Sequence, residues 1–189
     1  MATHRALDAD AVSDIAPYDL GPMPTNRSMT TIDELLVRAP LAKIFELAAE
    51  VEQWPTHLPH YRFVRFHEKR RDGGGLVEMS ANRPFGTVDW PTWWTSEMSV
   101  HTPGGRTAPA IRFRHVRGVT TGMDVEWSFV PAAGGTHVRI VHVWNGPPVP
   151  LIGLIAARGV IGPVFVHGIA SRTLAGLAHA AERKATRTV

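Results

Sequence analysis

The sequence predicts an α+β domain: one strand, two short helices, six further strands and one long C-terminal helix. Three observations carry this. Apolar and polar residues alternate with period two in successive runs between Tyr61 and Trp144, separated by glycine-rich turns. Apolar residues at helical spacing concentrate just after Pro40 and beyond Val164. Breakers such as Pro59, Gly73-Gly74-Gly75 and Gly146-Pro147-Pro148 fall between the runs. With 189 residues, the chain fits one domain.

Residues 1–28 are polar, carry Pro17, Pro22 and Pro24, and show no period, which predicts a flexible tail ahead of a single domain over 29–187. The run from Met29 to Val37 alternates and predicts the first strand. Pro40 opens a helix where its missing N–H costs little, and Leu41, Ile44, Phe45 and Ala48 form its apolar stripe. Trp54-Pro55 starts a second short helix that Pro59 closes. Strands follow over Tyr61–Glu68, Leu76–Asn82, Thr87–Val100, Ala110–Arg117, Met123–Val130 and Thr136–Trp144. Pro91 places its part of the third of these six at an edge or bulge. Beyond the Gly146 break, Val149–Val160 reads as a buried apolar helix, with weak membrane contact through 149–166 as the alternative. Arg158, Pro150, Gly153, Gly159, Gly162 and Pro163 argue against a membrane span. Val164–Lys184 predicts the long last helix.

Composition excludes several chemistries. There is no cysteine, hence no disulfide framework, thiolate metal site or thiol nucleophile. Met1–Asp14 carries Arg5, Asp8, Asp10 and Asp14 and has no apolar core of a signal peptide, which predicts a cytoplasmic protein. Net charge is only +3, and Lys69-Arg70-Arg71 runs into a turn, so a solvated hairpin end is the reading and no nucleic-acid partner is expected. The spacing of His57, His60 and His67 matches no zinc motif, so no metal is expected. Gly73-Gly74-Gly75 sits in a hairpin and cradles no phosphate.

Alternation sorts the strand faces. Trp90, Thr92, Trp94, Ser96 and Met98 share one face; so do Ile111, Phe113 and His115, then Met123, Val125, Trp127 and Phe129, then Val138, Ile140, His142 and Trp144. Trp93 points the other way, with most acidic and arginine side chains. The inward set mixes tryptophan, methionine, histidine and serine, whereas a plain core favours Leu, Ile and Val. Such a mixture suits an apolar pocket with a few orienting polar groups.

The stretches Ala39-Pro40-Leu41-Ala42-Lys43-Ile44-Phe45-Glu46 and Val51-Glu52-Gln53-Trp54-Pro55 resemble the START/polyketide cyclase superfamily, most closely the bacterial polyketide aromatase/cyclases. Gly122-Met123-Asp124-Val125-Glu126-Trp127, Gly134-Gly135-Thr136 and Ser171-Arg172-Thr173-Leu174 add to the likeness, which covers about residues 29–185. The resemblance implies a helix-grip fold, an antiparallel sheet of seven strands wrapped around the long C-terminal helix, with a ligand cavity between them. It implies ligand-contacting positions at Trp54, Leu58, Tyr61, Trp94, Ser96, Met98, Met123, Trp127 and Ile140. It also implies an essential arginine on the strand that carries Trp94, where this chain has Met98.

The expected activity is therefore cofactor-free acid–base chemistry of the cyclase/aromatase or dehydratase kind on a hydrophobic small molecule, which in polyketide assembly an acyl carrier protein brings. His115 is the first candidate base, His142 the second, and Tyr61 the candidate donor. Trp144 and Arg172 complete the candidate ligand contacts, Arg172 with structural pairing as its alternative. Because Met98 replaces the arginine, a non-catalytic lipid, polyketide or quinone carrier stands as the competing reading.

Overall fold

The computed structural model describes residues 18–85, 88–105, 107–146 and 167–186, with side chains throughout except at 83–90 and 184–186. The expected helix over Val149–Val160, the apolar stretch 149–166 and residues 1–17 lie outside the described residues.

Chain order follows the expected pattern. Strand β1 (Met29–Val37) leads to helix α1 (Leu41–Ala49), a 3-10 turn (Val51–Gln53) and helix α2 (Trp54–His57). Six strands follow: β2 (Tyr61–Lys69), β3 (Gly75–Phe85), β4 (Val88–His101), β5 (Ala110–Gly118), β6 (Asp124–Ala132) and β7 (Gly135–Trp144); helix α3 (His167–Thr186) comes last. The strands form one seven-stranded sheet in the order β1-β7-β6-β5-β4-β3-β2. Every pairing is antiparallel. Hairpins join β2 through β7 in sequence, and β1 alone crosses to pair with β7, which puts β1 and β2 at the two edges.

The helices cover one face. In α1, Ile44, Phe45, Leu47 and Ala48 are buried, the stripe that the sequence spacing predicts. In α3, Ile169, Ala170, Leu174, Leu177, Ala178 and Ala181 are buried with them in one core. Burial of each such large side chain contributes roughly 1.5–3 kcal/mol. Leu58, at the end of α2, fills the notch at Gly176 of α3, where an added Cβ would stand 2.3 Å from the Leu58 Cδ2. Pro91 lies in β4 beyond the last residue that pairs with β5, so its missing N–H removes no bond to that neighbour.

The opposite face is less open than alternation alone suggests. Arg112 and Asp124 point outward yet are 3% and 2% exposed. Residues 18–21 lie over this part of the sheet. Arg112 donates to the Gly21 carbonyl, Arg114 to the Leu20 carbonyl at 3.3 Å and to Asp124 at 2.9 Å. The Tyr18 hydroxyl meets Glu97 at 3.1 Å, and the Arg70 guanidinium lies 3.9 Å over the Tyr18 ring. Within the stretch 1–28 that the sequence reads as a tail, residues 18–21 thus lie against the sheet. The segment's own composition has little to bury, but the arginine row on the sheet supplies donors for its carbonyls.

One glycine sets the position of a site residue. Gly118 ends β5 at φ +95°, and a Cβ there would lie 2.5 Å from the Trp93 carbonyl oxygen. Only glycine fits both the angle and the approach. Gly118→Ala is expected to lower stability by about 1–3 kcal/mol, read as a reduced midpoint in thermal or urea unfolding.

Candidate functional site

Between the sheet and α3 lies a cavity of about 70 Å³. Eight of the side chains that the sequence nominates line it: Trp54, Tyr61, Trp94, His115, Met123, Trp127, Ile140 and His142. Met79, Phe113, Thr120, Val125, Ile169, Ala170 and Thr173 complete the wall. Among these described residues no Asp, Glu, Lys or Arg faces the cavity.

Trp54 is held from behind and presents its ring forward. Its Nε1–H donates to the Leu47 carbonyl at 3.1 Å, which ties α2 to α1. Its ring then meets Tyr61, Trp127 and Phe113 at centroid distances of 5.2, 5.8 and 6.4 Å. Packing and lining are thus one role for this residue. Trp94 forms the shared wall between two polar groups: the His115 ring stacks on it at 5.8 Å and 15°, and Tyr61 meets it edge-on at 6.3 Å and 61°.

His115 is fixed by the β5–β6 connection. Its backbone N–H donates to the Met123 carbonyl at 2.9 Å, and its carbonyl accepts from Gly122 at 2.8 Å. Its Nδ1 lies 2.6 Å from the Thr120 hydroxyl of the same connection. Tyr61 belongs to a second polar group. Thr173 gives its one hydroxyl proton to the Ile169 carbonyl at 2.8 Å, so its oxygen accepts from His60 Nε2–H at 3.1 Å; the Tyr61 hydroxyl lies 3.4 Å away. Burial, and then the positive charge of Arg172, push the His60 pKa below its ordinary value.

His142 differs from both. It is buried, and burial lowers its pKa to about 3. Its Nδ1 has no hydrogen-bond partner among the described residues. A neutral imidazole this weakly basic is a poor general base at neutral pH, which counts against the second candidate base.

Five nominated residues lie outside the cavity wall. Leu58 packs on Gly176 of α3. Ser96 is fully buried opposite Val77 and His115, its hydroxyl without a partner among the described residues. Met98 is fully buried opposite Phe113 and Gly75 and is not part of the cavity lining. Trp144 donates its Nε1–H to the Thr121 carbonyl at 2.9 Å and closes the region beneath the β5–β6 connection. Arg172 is exposed on α3, and its charge bears on the neighbouring His60. Trp90 has no described side chain.

Of the residues not nominated, Phe113 and Val125 already stand on the inward faces by alternation. Thr173 stands four residues after Ile169, the helical spacing that would have found it. Thr120 sits in a connection with no period, so nothing local marks it.

Residues 37–164 match the family model for polyketide cyclase/dehydrase and lipid transport. Among solved structures, the chain is similar to the Zhui aromatase/cyclase of a Streptomyces species, with a TM-score of 0.67 at 18% identity over 82% of this chain and 94% of that one. It is similar to a START superfamily protein of Mycobacterium smegmatis, with a TM-score of 0.59 at 14% identity over 82% and 97% of the two chains. It also matches the di-domain aromatase/cyclase StfQ of the steffimycin pathway, with a TM-score of 0.63 at 19% identity over 84% of this chain and 52% of that one. These likenesses carry the helix-grip fold. The matched stretch takes in α1, α2, β2 through β7 and both polar groups that flank Trp94 except Thr173; the chain belongs to the polyketide cyclase/dehydrase and lipid transport family.

Proposed function

We propose that the central cavity binds a hydrophobic, carbonyl-bearing small molecule and promotes its cyclisation or dehydration by acid–base chemistry. The observation that carries this reading is the placement of His115 and Tyr61 on either side of Trp94 in a largely apolar wall that, among the described residues, holds no Asp, Glu, Lys or Arg. The aromatic surfaces hold a flat or folded chain, and the two polar groups meet its reactive end. His115 takes an acidic proton from the carbon between two carbonyls. The Tyr61 hydroxyl donates to the resulting enolate oxygen, where a low local dielectric strengthens the bond. The carbanion then attacks a second carbonyl of the same chain, and the alkoxide takes the proton back from His115 to give an alcohol; where the ring aromatises, His115 removes a further proton from the neighbouring carbon and returns it to the departing hydroxyl, which leaves as water. These steps are redox-neutral and call on no cofactor.

The wall geometry adds a condition. A cavity of about 70 Å³ is far below the ~300–1,000 Å³ usual for ligand sites. Ligand entry therefore requires the aromatic walls to part. A carrier protein delivering the chain is compatible with this reading and adds nothing to the chemistry.

The competing reading is a non-catalytic carrier of lipid, polyketide or quinone. It is favoured by Met98, which stands buried outside the cavity where the resemblance implies a catalytic arginine. A poly-β-carbonyl thioester surrogate separates the two, with binding followed by tryptophan fluorescence and product by mass spectrometry. Tyr61→Phe is expected to slow product formation by about 10²-fold while changing ligand affinity little, because it removes one enolate donor. Binding without product in the unaltered protein selects the carrier reading.

A further inference from the structure

A second recess lies between β1 and the first turns of α3, with a volume of about 410 Å³. Its position follows from the topology: β1 is an edge strand, and α3 begins directly against it. The walls are apolar, formed by Ile32, Leu35, Leu174 and Ala175. Ile32 and Leu35 are 47% and 39% exposed, so this is apolar surface turned to water at the mouth.

At its floor stands Asp33, with its side chain only 3% exposed. One carboxylate oxygen, Oδ1, accepts from His167 Nδ1 at 2.6 Å. The other, Oδ2, is buried and has no hydrogen-bond partner among the described residues. Asp33 is the cross-strand partner of Ile140, a wall residue of the central cavity, so the recess adjoins that cavity without sharing its polar groups. Burial raises the Asp33 pKa and the neighbouring His167 opposes this, the mark of a carboxylate that gains from a further donor. A buried carboxylate oxygen left unpaired is costly, so a ligand that donates a hydrogen bond to it gains.

We infer that the recess between β1 and α3 is a binding site for a protonated alkylamine, its ammonium on Asp33 Oδ2 and its chain on Leu35 and Leu174. Charge complementarity selects the cation. The unpartnered Oδ2 supplies the acceptor: Glu34 at the rim already faces Arg139 at 3.9 Å and His137 at 4.0 Å, and His167, the basic group among the described lining residues, is committed to Oδ1. Ser171, also in the lining, supplies a hydroxyl for a second ammonium proton. The site neither depends on the acid–base reading of the central cavity nor supports it.

The test is calorimetric titration of the whole protein at neutral pH with hexylammonium, hexanol and hexanoate. Hexylammonium is expected to bind at least tenfold more tightly than either of the others. Asp33→Asn should remove that preference and leave hexanol unchanged. Methyl NMR shifts should fall on Leu35 and Leu174. Equal affinity for hexylammonium and hexanol overturns the proposal, as does unchanged hexylammonium binding in Asp33→Asn or a response confined to Ile169 and the central cavity. If Asp33→Asn does not fold, the ammonium-to-alcohol ratio of the unaltered protein still decides. Fluorescence of the central tryptophans with an aromatic probe reports the other cavity separately, so either reading can fail alone.

Discussion

Stability is expected to fall steeply as pH drops from about 6.5 towards 3, with His142 as the main cause. In the unfolded chain this imidazole titrates near its ordinary value of ~6.5. In the folded protein, burial lowers its pKa to about 3. Between those limits the unfolded state holds a proton that the folded state refuses, so stability rises with pH and is fully present above about 6.5. At ~1.4 kcal/mol for each pH unit of the gap, the total loss is roughly 5 kcal/mol, comparable with the whole stability of many domains. His60 is also depressed by burial and adds to the loss. Asp33, whose pKa is raised, acts in the opposite sense at the acid end: its protonated form is favoured in the folded state. The measurement is urea unfolding at several pH values, for the unaltered protein and for His142→Leu. Leucine keeps the volume and removes an imidazole nitrogen that has no partner among the described residues, so the variant should fold and be at least as stable at low pH. Its stability should depend on pH with one proton less across the window. Identical slopes for the two proteins would show that His142 titrates normally.

How far the sequence discloses this molecule depends on which interaction places each residue. The strands are legible because alternation is a local consequence of one face meeting a core. Trp93 at 51% exposure and Trp94 at 5% are neighbours that the period separates correctly. The first helix is legible for the same kind of reason, from the spacing of Ile44, Phe45 and Ala48. Alternation identifies a face but not a depth along it. Trp94, Ser96 and Met98 share the inward side of β4, yet only Trp94 reaches the cavity wall. Ser96 and Met98 are sealed by β3 and β5 neighbours whose register no local pattern encodes. Residues 18–21 escape for a related reason. Their anchors, Arg112 and Arg114, lie some ninety positions away, and nothing within the segment signals them. Thr173 and His60 meet across 113 positions, and their contact likewise exists only once α3 lies on the sheet.

His115→Ala is expected to reduce product formation by 10²–10⁴-fold, the usual loss on removal of a general base, while the protein stays folded. The structural side of this expectation is strong. His115 is half-buried, so its removal leaves no sealed cavity, and its backbone position is set independently by the bonds to Met123 and Gly122. What the substitution removes is the imidazole between Trp94 and the Thr120 hydroxyl. Ligand affinity, read from the tryptophan fluorescence, should change only by the stacking contribution of the ring. Two further variants separate chemistry from packing. Thr120→Val keeps the imidazole but removes the hydroxyl that orients its Nδ1, so it should lower turnover less than His115→Ala while leaving affinity alone. Added imidazole should restore part of the rate to His115→Ala, because the gap beside Trp94 admits it, and should do nothing for Thr120→Val. Rescue of the first variant alone identifies proton transfer at this position. Full activity in His115→Ala would exclude this imidazole as the base. Any turnover would then have to arise from folding the bound chain against Trp54, Trp94 and Trp127, since holding reactants in a near-attack geometry is itself worth up to ~7–11 kcal/mol.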